Sequence, residues 1–377
     1  MKGNTKLRQK SIKRVLTEIR NRGPVSKREL QDITGFSWGN ISSITAELFN
    51  ENYIMVSGKQ DTFVGRKPEI FDINNNDNFI IGIDFSTKGI LAVLCDLRGR
   101  AIVKMTRAFA EMTYECAINT LYAVIECFIN DYKDKKILHI AIAMQGDVDH
   151  EKGVSMRIKA IEGWRNVPVC DLVSQKFGIK VAMLHDPECL LYTEKNYGIL
   201  EGVPIENALI LSITNHGIGI ATMLGGKMYM GNNGRTSEIG TVVVPYGEKM
   251  EWHCLDTVLK ENWVQKEYNS PDVTAKVIAE MARSGNNEAL SIFKNIGTSL
   301  GYALNNASIL LNPEKIILFG SFCKYSDLFL QSAVLQLQTL MGEYAPIISV
   351  SSFEEDSAAI GATLYATDIA INDLNFN

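Results

Sequence analysis

The sequence predicts a multidomain α+β protein in which a small, basic, mainly helical segment precedes two α/β lobes of like build. Three observations carry this. Charge is divided unevenly: residues 1–70 hold 13 Lys/Arg against 7 Asp/Glu and the rest hold 25 against 36, so a segment of +6 precedes a body of −11. The basic segment shows helical apolar spacing followed by two short strand-like runs. Farther on, one order of strands and helices occurs twice.

Composition narrows the class before any motif is read. At roughly 100–200 residues per domain, 377 residues allow two or three domains. Hydrophobic residues make up 46% and charged ones 21%, enough apolar surface for a packed core, which excludes a mainly disordered chain. No apolar run approaches the roughly 20 residues that span a bilayer. The basic N-terminus is not followed by an apolar stretch of the kind a secretory signal needs. Seven scattered cysteines form no CxxC pair and no disulfide framework. The expected location is the cytoplasm, with no membrane partner.

In chain order, residues 7–22 carry Ile12, Val15, Leu16 and Ile19 at helical spacing and stop at Asn21-Arg22-Gly23-Pro24. Ser26 with Glu29 three residues later makes a capping box for a short helix through Ile33. After the turn Thr34-Gly35-Phe36, Ser37 caps a third helix to about Asn50, with Ile41, Ile44, Leu48 and Phe49 as its apolar stripe. Its other face offers small or hydrogen-bonding residues. A short helix, a glycine turn and a helix with a polar outer face is a helix-turn-helix, whose second helix presents its early residues to base edges in the major groove. Residues 53–56, a turn at 58–61, the basic Gly65-Arg66-Lys67-Pro68 and residues 69–73 then read as a wing. A three-helix protein-docking module would share the helices. The basic first helix, polar third-helix face and Arg-Lys wing together favour DNA. Expected DNA contacts are Ser37, Trp38, Gly39, Asn40, Ser42, Ser43, Thr45, Arg66 and Lys67.

Polar residues 74–78 form a natural joint. Beyond them, residues 79–85, 89–95 and 101–108 read as three strands, and residues 208–214, 217–224 and 227–230 as three more. Later strands at 137–144 and 315–319 complete a duplicated β-β-β-α-β unit, which implies two lobes facing across a cleft. The expected domains are residues 1–73, 79–185 and 186–377, with the C-terminal helix returning to the first lobe.

With these residues in view, the chain resembles the ROK family (repressors, open reading frames and sugar kinases), in its winged-helix transcriptional-regulator branch. The most specific pieces run from Gly23-Pro24-Val25-Ser26 to Gly65-Arg66-Lys67-Pro68, with Gly217-Ile218-Gly219 matching half of a family motif. Gly225-Gly226-Lys227 through Glu238-Ile239-Gly240, Asn312-Pro313-Glu314-Lys315-Ile316-Ile317 and Gly361-Ala362 extend the likeness. It implies an N-terminal winged helix-turn-helix followed by two ribonuclease-H-like α/β lobes, the actin-like or sugar-kinase fold.

The resemblance also implies which chemistry is kept. Family kinases have an Asp-x-Gly-Gly-Thr-Lys hairpin whose glycines open the backbone to ATP phosphates. Here the stretch is Asp84-Phe85-Ser86-Thr87-Lys88, and Phe85 and Ser86 are expected to obstruct that approach. A second glycine pair is reduced to Gly320-Ser321-Phe322. On the sugar side, His185-Asp186 stands where the family has Asn-Asp, the Asp being the kinase base. Asp186-Pro187 equally suits the start of a helix. Glu238, with Gly217 and Gly219 in consistent register, occupies the place of a sugar-hydroxyl acceptor. Trp164, after Gly163, is expected in the core. The family zinc motif, three thiolates and a histidine, is reduced to Cys254, with Gly247, Lys249 and Thr241 at the other positions, so no metal is expected.

The expected function is a DNA-binding transcriptional regulator, a repressor in character, without catalysis and without cofactor. Its partners are double-stranded operator DNA and a small sugar-like effector held by His185, Asp186, Gly217, Gly219 and Glu238. Half-site logic and the resemblance suggest a homodimer or dimer of dimers. The alternatives are an active sugar kinase with an added DNA-binding domain and a ligand-independent DNA-binding protein.

Overall fold

The computed structural model describes residues 2–59, 68–87, 89–215, 217–232, 238–270, 272–353 and 356–374. Two compact units emerge, residues 1–185 with 356–377, and residues 186–355.

The first unit opens with α1 (Lys2–Arg22), β1 (Val25–Ser26), α2 (Lys27–Thr34), α3 (Trp38–Asn50), β2 (Ile54–Lys59) and β3 (Glu69–Ile73). The capping box at α2 is complete: Ser26 N donates to Glu29 Oε2 at 2.7 Å, and Ser26 Oγ accepts from Glu29 N at 3.3 Å. Gly35, at φ 72°, ends α2 in the left-handed region that L side chains avoid. Ile12, Val15, Leu16 and Ile19 of α1 are fully buried, as are Leu30, Ile41, Ile44 and Leu48. The three strands form one sheet in the order β1-β3-β2, with a bulge between Val56 and Gly58. β2 runs to Lys59 rather than turning at 58, and the wing tip with Arg66 and Lys67 lies outside the described residues.

Lobe 1 follows: β4 (Asn78–Ser86), β5 (Gly89–Asp96), β6 (Ala101–Arg107), α4 (Tyr114–Asp131) and β7 (Lys136–Met144). A small sheet of β8 (Asp147–Asp149), β9 (Val154–Arg157) and β10 (Arg165–Val167) leads to α5 (Val169–Phe177) and β11 (Lys180–His185). The main sheet has the order β11-β7-β4-β5-β6, antiparallel at β4–β5–β6 and parallel at β4–β7–β11. Its central strands are apolar on both faces because helices cover both, whereas edge strand β6 is mostly exposed. Phe79, Ile81, Ile83 and Phe85 meet Leu121, Val124, Ile125 and Phe128 of α4 in the core.

The second unit runs through α6 (Asp186–Tyr197), β12 (Ala208–Thr214), β13 (Gly217–Leu224), β14 (Lys227–Met228), β15 (Val243–Tyr246), β16 (Glu251–Cys254), α7 (Leu255–Val258), α8 (Glu261–Glu267), α9 (Ala275–Arg283), α10 (Asn287–Leu311), β17 (Lys315–Phe319), α11 (Ser326–Met341) and β18 (Ile347–Val350). Its sheet order is β14-β13-β12-β17-β18. Each lobe therefore places its third, second, first, fourth and fifth strands side by side, the same topology built twice. Two such lobes are the actin-like, sugar-kinase-type architecture. Leu209, Leu211 and Ile213 of β12 pack with Phe293, Ile296, Leu300 and Leu304 of α10 and Phe329 of α11.

The last helix, α12 (Ser357–Asp373), belongs to the first unit, so the compact second unit ends at residue 355. Its Ala359 is buried against Val93 and Cys95 of β5. Small residues on several sides of α12 are buried, which is why it lacks a clear polar face.

Candidate nucleic-acid interface and effector-site residues

The helix-turn-helix presents α3 through a cap and a stripe. Ser37 is exposed and its Oγ accepts from Asn40 N at 3.4 Å, fixing the first turn. Trp38 is 55% exposed; Gly39 and Ser43 are exposed, and Asn40 and Ser42 are half-buried. Arg8 of α1 donates to Ser43 Oγ at 3.3 Å and pairs with Glu47, so a cation of the first helix stands directly beside the outer face of α3.

Thr45 corrects the sequence expectation. It is fully buried, and its hydroxyl donates to Ile41 O at 2.8 Å within the helix, so it offers nothing to DNA. Phe49, expected in the core, is 46% exposed. The stripe is Ile41, Ile44, Thr45 and Leu48, the i, i+3, i+4, i+7 set, and position 49 falls one step outside it.

On lobe 1, the hairpin after β4 also differs from expectation. The Phe85 ring does not stand across the backbone; it is buried against Trp164 at 5.0 Å and Phe109 at 5.4 Å. The Gln145 side chain instead accepts from the Thr87 N–H at 2.9 Å. Trp164 is core, with Nε1 donating to buried Ser155 Oγ at 2.8 Å.

Among the residues expected to face a sugar, His185 ends β11, half-buried, and Asp186 opens α6 just before Pro187. Burial pushes the Asp186 carboxyl up from 3.8 to about 7, against a smaller opposing hydrogen bond from its own backbone. Gly217 begins β13 opposite Thr214, and Gly219 lies opposite Ser212. Glu238 is exposed; its carbonyl accepts from Thr241 N at 3.0 Å and Oγ1 at 2.8 Å in the tight turn at Ile239–Thr241.

One residue outside the expected set joins this part of lobe 2. The Asp256 carboxylate lies 3.5 Å from where a Cβ on Gly217 would stand, and the Asp256 Cβ lies 3.3 Å from the same point on Gly240. Asp256 Oδ2 accepts from Lys260 at 3.0 Å, while Oδ1 is buried and accepts no hydrogen bond among the described residues. A buried acceptor left unpaired is costly unless a ligand or water donates to it. The sequence signal was its place, two residues after Cys254, the one thiolate kept from the family zinc motif.

The residues at the family's zinc position do not fit the metal. Cys254 is an exposed free thiol at the end of β16. His253 is stacked edge-on against Trp263 at 4.7 Å and Tyr246 at 6.3 Å. Among the described residues, no group of three or more His, Cys, Asp or Glu is placed to hold a metal ion. The aromatic cluster orders the β15–β16 hairpin instead. Likewise among the described residues, no helix is long and apolar enough to cross a membrane.

Comparison with known proteins agrees with this architecture. The chain is 25% identical over 328 residues to a xylose repressor of Bacillus spizizenii, covering 85% of this chain and 84% of that one. It is 24% identical over 363 residues to the DNA-binding transcriptional dual regulator NagC of Escherichia coli, covering 90% and 88%. A crystal structure of a ROK family transcriptional regulator, a homologue of the E. coli MLC protein, superposes with a TM-score of 0.81 at 21% identity over 97% of both chains. A ROK family glucokinase from Streptomyces griseus, in complex with glucose and AMPPNP, gives 0.61 at 20% identity over 76% of this chain and 98% of that one. The ROK family profile matches residues 80–369, most of the chain, and the protein belongs to the ROK family.

Proposed function

We propose that this protein is a DNA-binding transcriptional repressor that senses a sugar or sugar derivative and performs no catalysis. The observation that carries the reading is the pairing of a capped, outward-facing α3 with a basic α1, joined to a duplicated kinase-type body whose phosphate-side hairpin is closed by Gln145. Similarity to a xylose repressor and to a DNA-binding transcriptional dual regulator, over 85% and 90% of the chain, supports it. In this reading the first turns of α3, through Trp38, Gly39, Asn40, Ser42 and Ser43, meet base edges, while cations of α1 and the wing residues Arg66 and Lys67 neutralise phosphates. Two copies read two half-sites, as a homodimer.

Asp186, Gly217, Gly219, Glu238 and Asp256, all of the second unit, then serve as effector-site residues, with His185 adjoining them in sequence. Carboxylates suit sugar hydroxyls because each hydroxyl can donate to an anionic oxygen. The effector acts by binding the DNA-competent and DNA-incompetent states with different affinities. The decisive experiment is an anisotropy titration of the protein's own promoter duplex with and without a panel of sugars and sugar phosphates.

One observation favours a second reading, an active sugar kinase. A carboxyl shifted to about 7 suits a general base working at neutral pH. A coupled ATP-consumption assay with the same panel decides; turnover with any sugar supports the kinase, and none supports the repressor.

A further inference from the structure

The polar stretch between the winged-helix domain and lobe 1 has the composition of a hinge, yet its side chains are tied down on both sides. Asn74 and Asn78 are both buried and both donate to the Asn52 carbonyl, at 3.0 and 2.7 Å. Asn74 also donates to Asp77 Oδ2 at 2.8 Å, and its Oδ1 accepts from Asn76 N at 3.0 Å. From lobe 1, Lys136 donates its backbone N–H to Asp77 O at 2.8 Å and its ammonium to the Tyr53 hydroxyl at 3.2 Å.

A second tie comes from the turn between β5 and β6. Buried Asp96 accepts from the backbone N–H groups of Arg98 at 2.8 Å and Arg100 at 3.0 Å, which fixes the turn. The Arg98 guanidinium then reaches across to the winged-helix domain. Nη1 donates to Gly23 O at 2.8 Å, and Nη2 donates to Ile19 O at 2.9 Å and to Asp72 Oδ1 at 2.5 Å. Both charged side chains are largely buried, at 13% and 16% exposure. The fork thus holds the C-terminal end of α1 and strand β3 together. Position 23 must be glycine for this: a Cβ there would stand 2.6 Å from Ile19 O, 2.8 Å from Arg98 Nη2 and 2.9 Å from Asp72 Oδ1. A third tie joins α1 to α12, where Arg20 pairs with Asp368 and Lys13 donates to Asn372 O.

We propose that Arg98 is a positioning residue that, with Gly23 and Asp72, welds the winged-helix domain to lobe 1 as one rigid body. The DNA-reading helix then moves with lobe 1, so an effector-driven change reaches it through lobe 1 rather than across a flexible linker. The regulatory half of this rests on the DNA-binding reading; the weld itself does not.

The test is limited thermolysin digestion of the full chain, following cleavage before Ile73 or Phe79, which releases the winged-helix domain. Proteolysis of this kind follows the population of the locally opened state. The wild type is expected to resist. Arg98→Ala, and independently Gly23→Ala from the opposite side of the contact, should release the fragment at least about tenfold faster. Arg98→Lys, keeping the charge but not the fork, should fall between the wild type and Arg98→Ala. Circular dichroism and the global unfolding midpoint separate this local opening from general destabilisation. If the wild-type linker is cut rapidly, or if both alanine variants are as protected as the wild type, the weld is wrong. Promoter-duplex binding by the same wild-type protein is measured alongside: protection without any DNA binding would overturn the regulatory half and leave the weld standing.

Discussion

Asp256 and Lys260, four residues apart, share a 3.0 Å hydrogen bond that engages only one carboxylate oxygen; the other is buried beside Gly217 with no donor among the described residues. A carboxylate anchored at one oxygen and unpaired at the other is preorganised for a hydroxyl donor. Asp256→Asn should therefore weaken the effector response at least about tenfold, the loss of a charged hydrogen bond worth roughly 1.5–3 kcal/mol. DNA affinity without effector should stay unchanged. Dose–response curves for effector-induced change in DNA affinity check this, and an unaltered curve removes Asp256 from the site.

Asp186 gives a pH signature with a defined sign. Burial pushes its carboxyl up from 3.8 to about 7 in the folded chain, so the folded state holds its proton more tightly. Its contribution to stability is greatest at acid pH and is lost as pH climbs from about 4 to about 7, by at most about 1.4 kcal/mol per pH unit. Asp186→Asn should flatten that decline and gain relative to wild type at pH 8. Urea unfolding at pH 4.5, 6 and 8 measures it. Parallel curves for the two proteins would show that Asp186 is not strained by burial.

The hairpin at Val243–Cys254 should be indifferent to chelators. Purified protein is expected to contain no stoichiometric zinc, and EDTA should not move its unfolding midpoint. His253→Ala, which removes ring contacts to both Trp263 and Tyr246, should cost about 1–2 kcal/mol. Elemental analysis showing one zinc per chain would refute this account of the hairpin.

Base reading and phosphate neutralisation should separate. Asn40→Ala should cost roughly 1–3 kcal/mol on the specific site and little on scrambled duplex. Arg66→Ala should weaken both and reduce the salt slope by about one. Thr45→Val should leave sequence preference untouched, because the hydroxyl it removes is bonded inside the helix. A relaxed preference in the Thr45 variant would contradict its burial.

How much of this was legible depended on how local each cause is. The Ser26–Glu29 box, the Ser37 cap and the strands Ala208–Thr214 and Gly217–Leu224 could be read because their signals lie within a few residues. The fifth strand of each sheet, Lys180–His185 and Ile347–Val350, went unread: each is short, and its identity depends on a parallel neighbour far away in the chain. Thr45 and Phe49 exchanged places because hydrophobicity alone chose the phenylalanine, whereas helical phase chose the threonine. Residues 74–78 read as a joint from composition, since nothing local reveals that Asn52, Lys136 and Arg98 converge on that region. The duplicated fold was legible and the residues coupling its parts were not.

The central claim is that this chain binds operator DNA and releases or tightens it in response to a sugar-class effector. Its most direct measurement is fluorescence anisotropy of the protein on its own promoter duplex from about 50 to 200 mM salt, repeated with sugars and sugar phosphates. The account predicts tight binding that weakens steeply with salt, and at least one compound that shifts the affinity in wild type but not in Asp256→Asn. Salt-independent or absent binding to that duplex would contradict it.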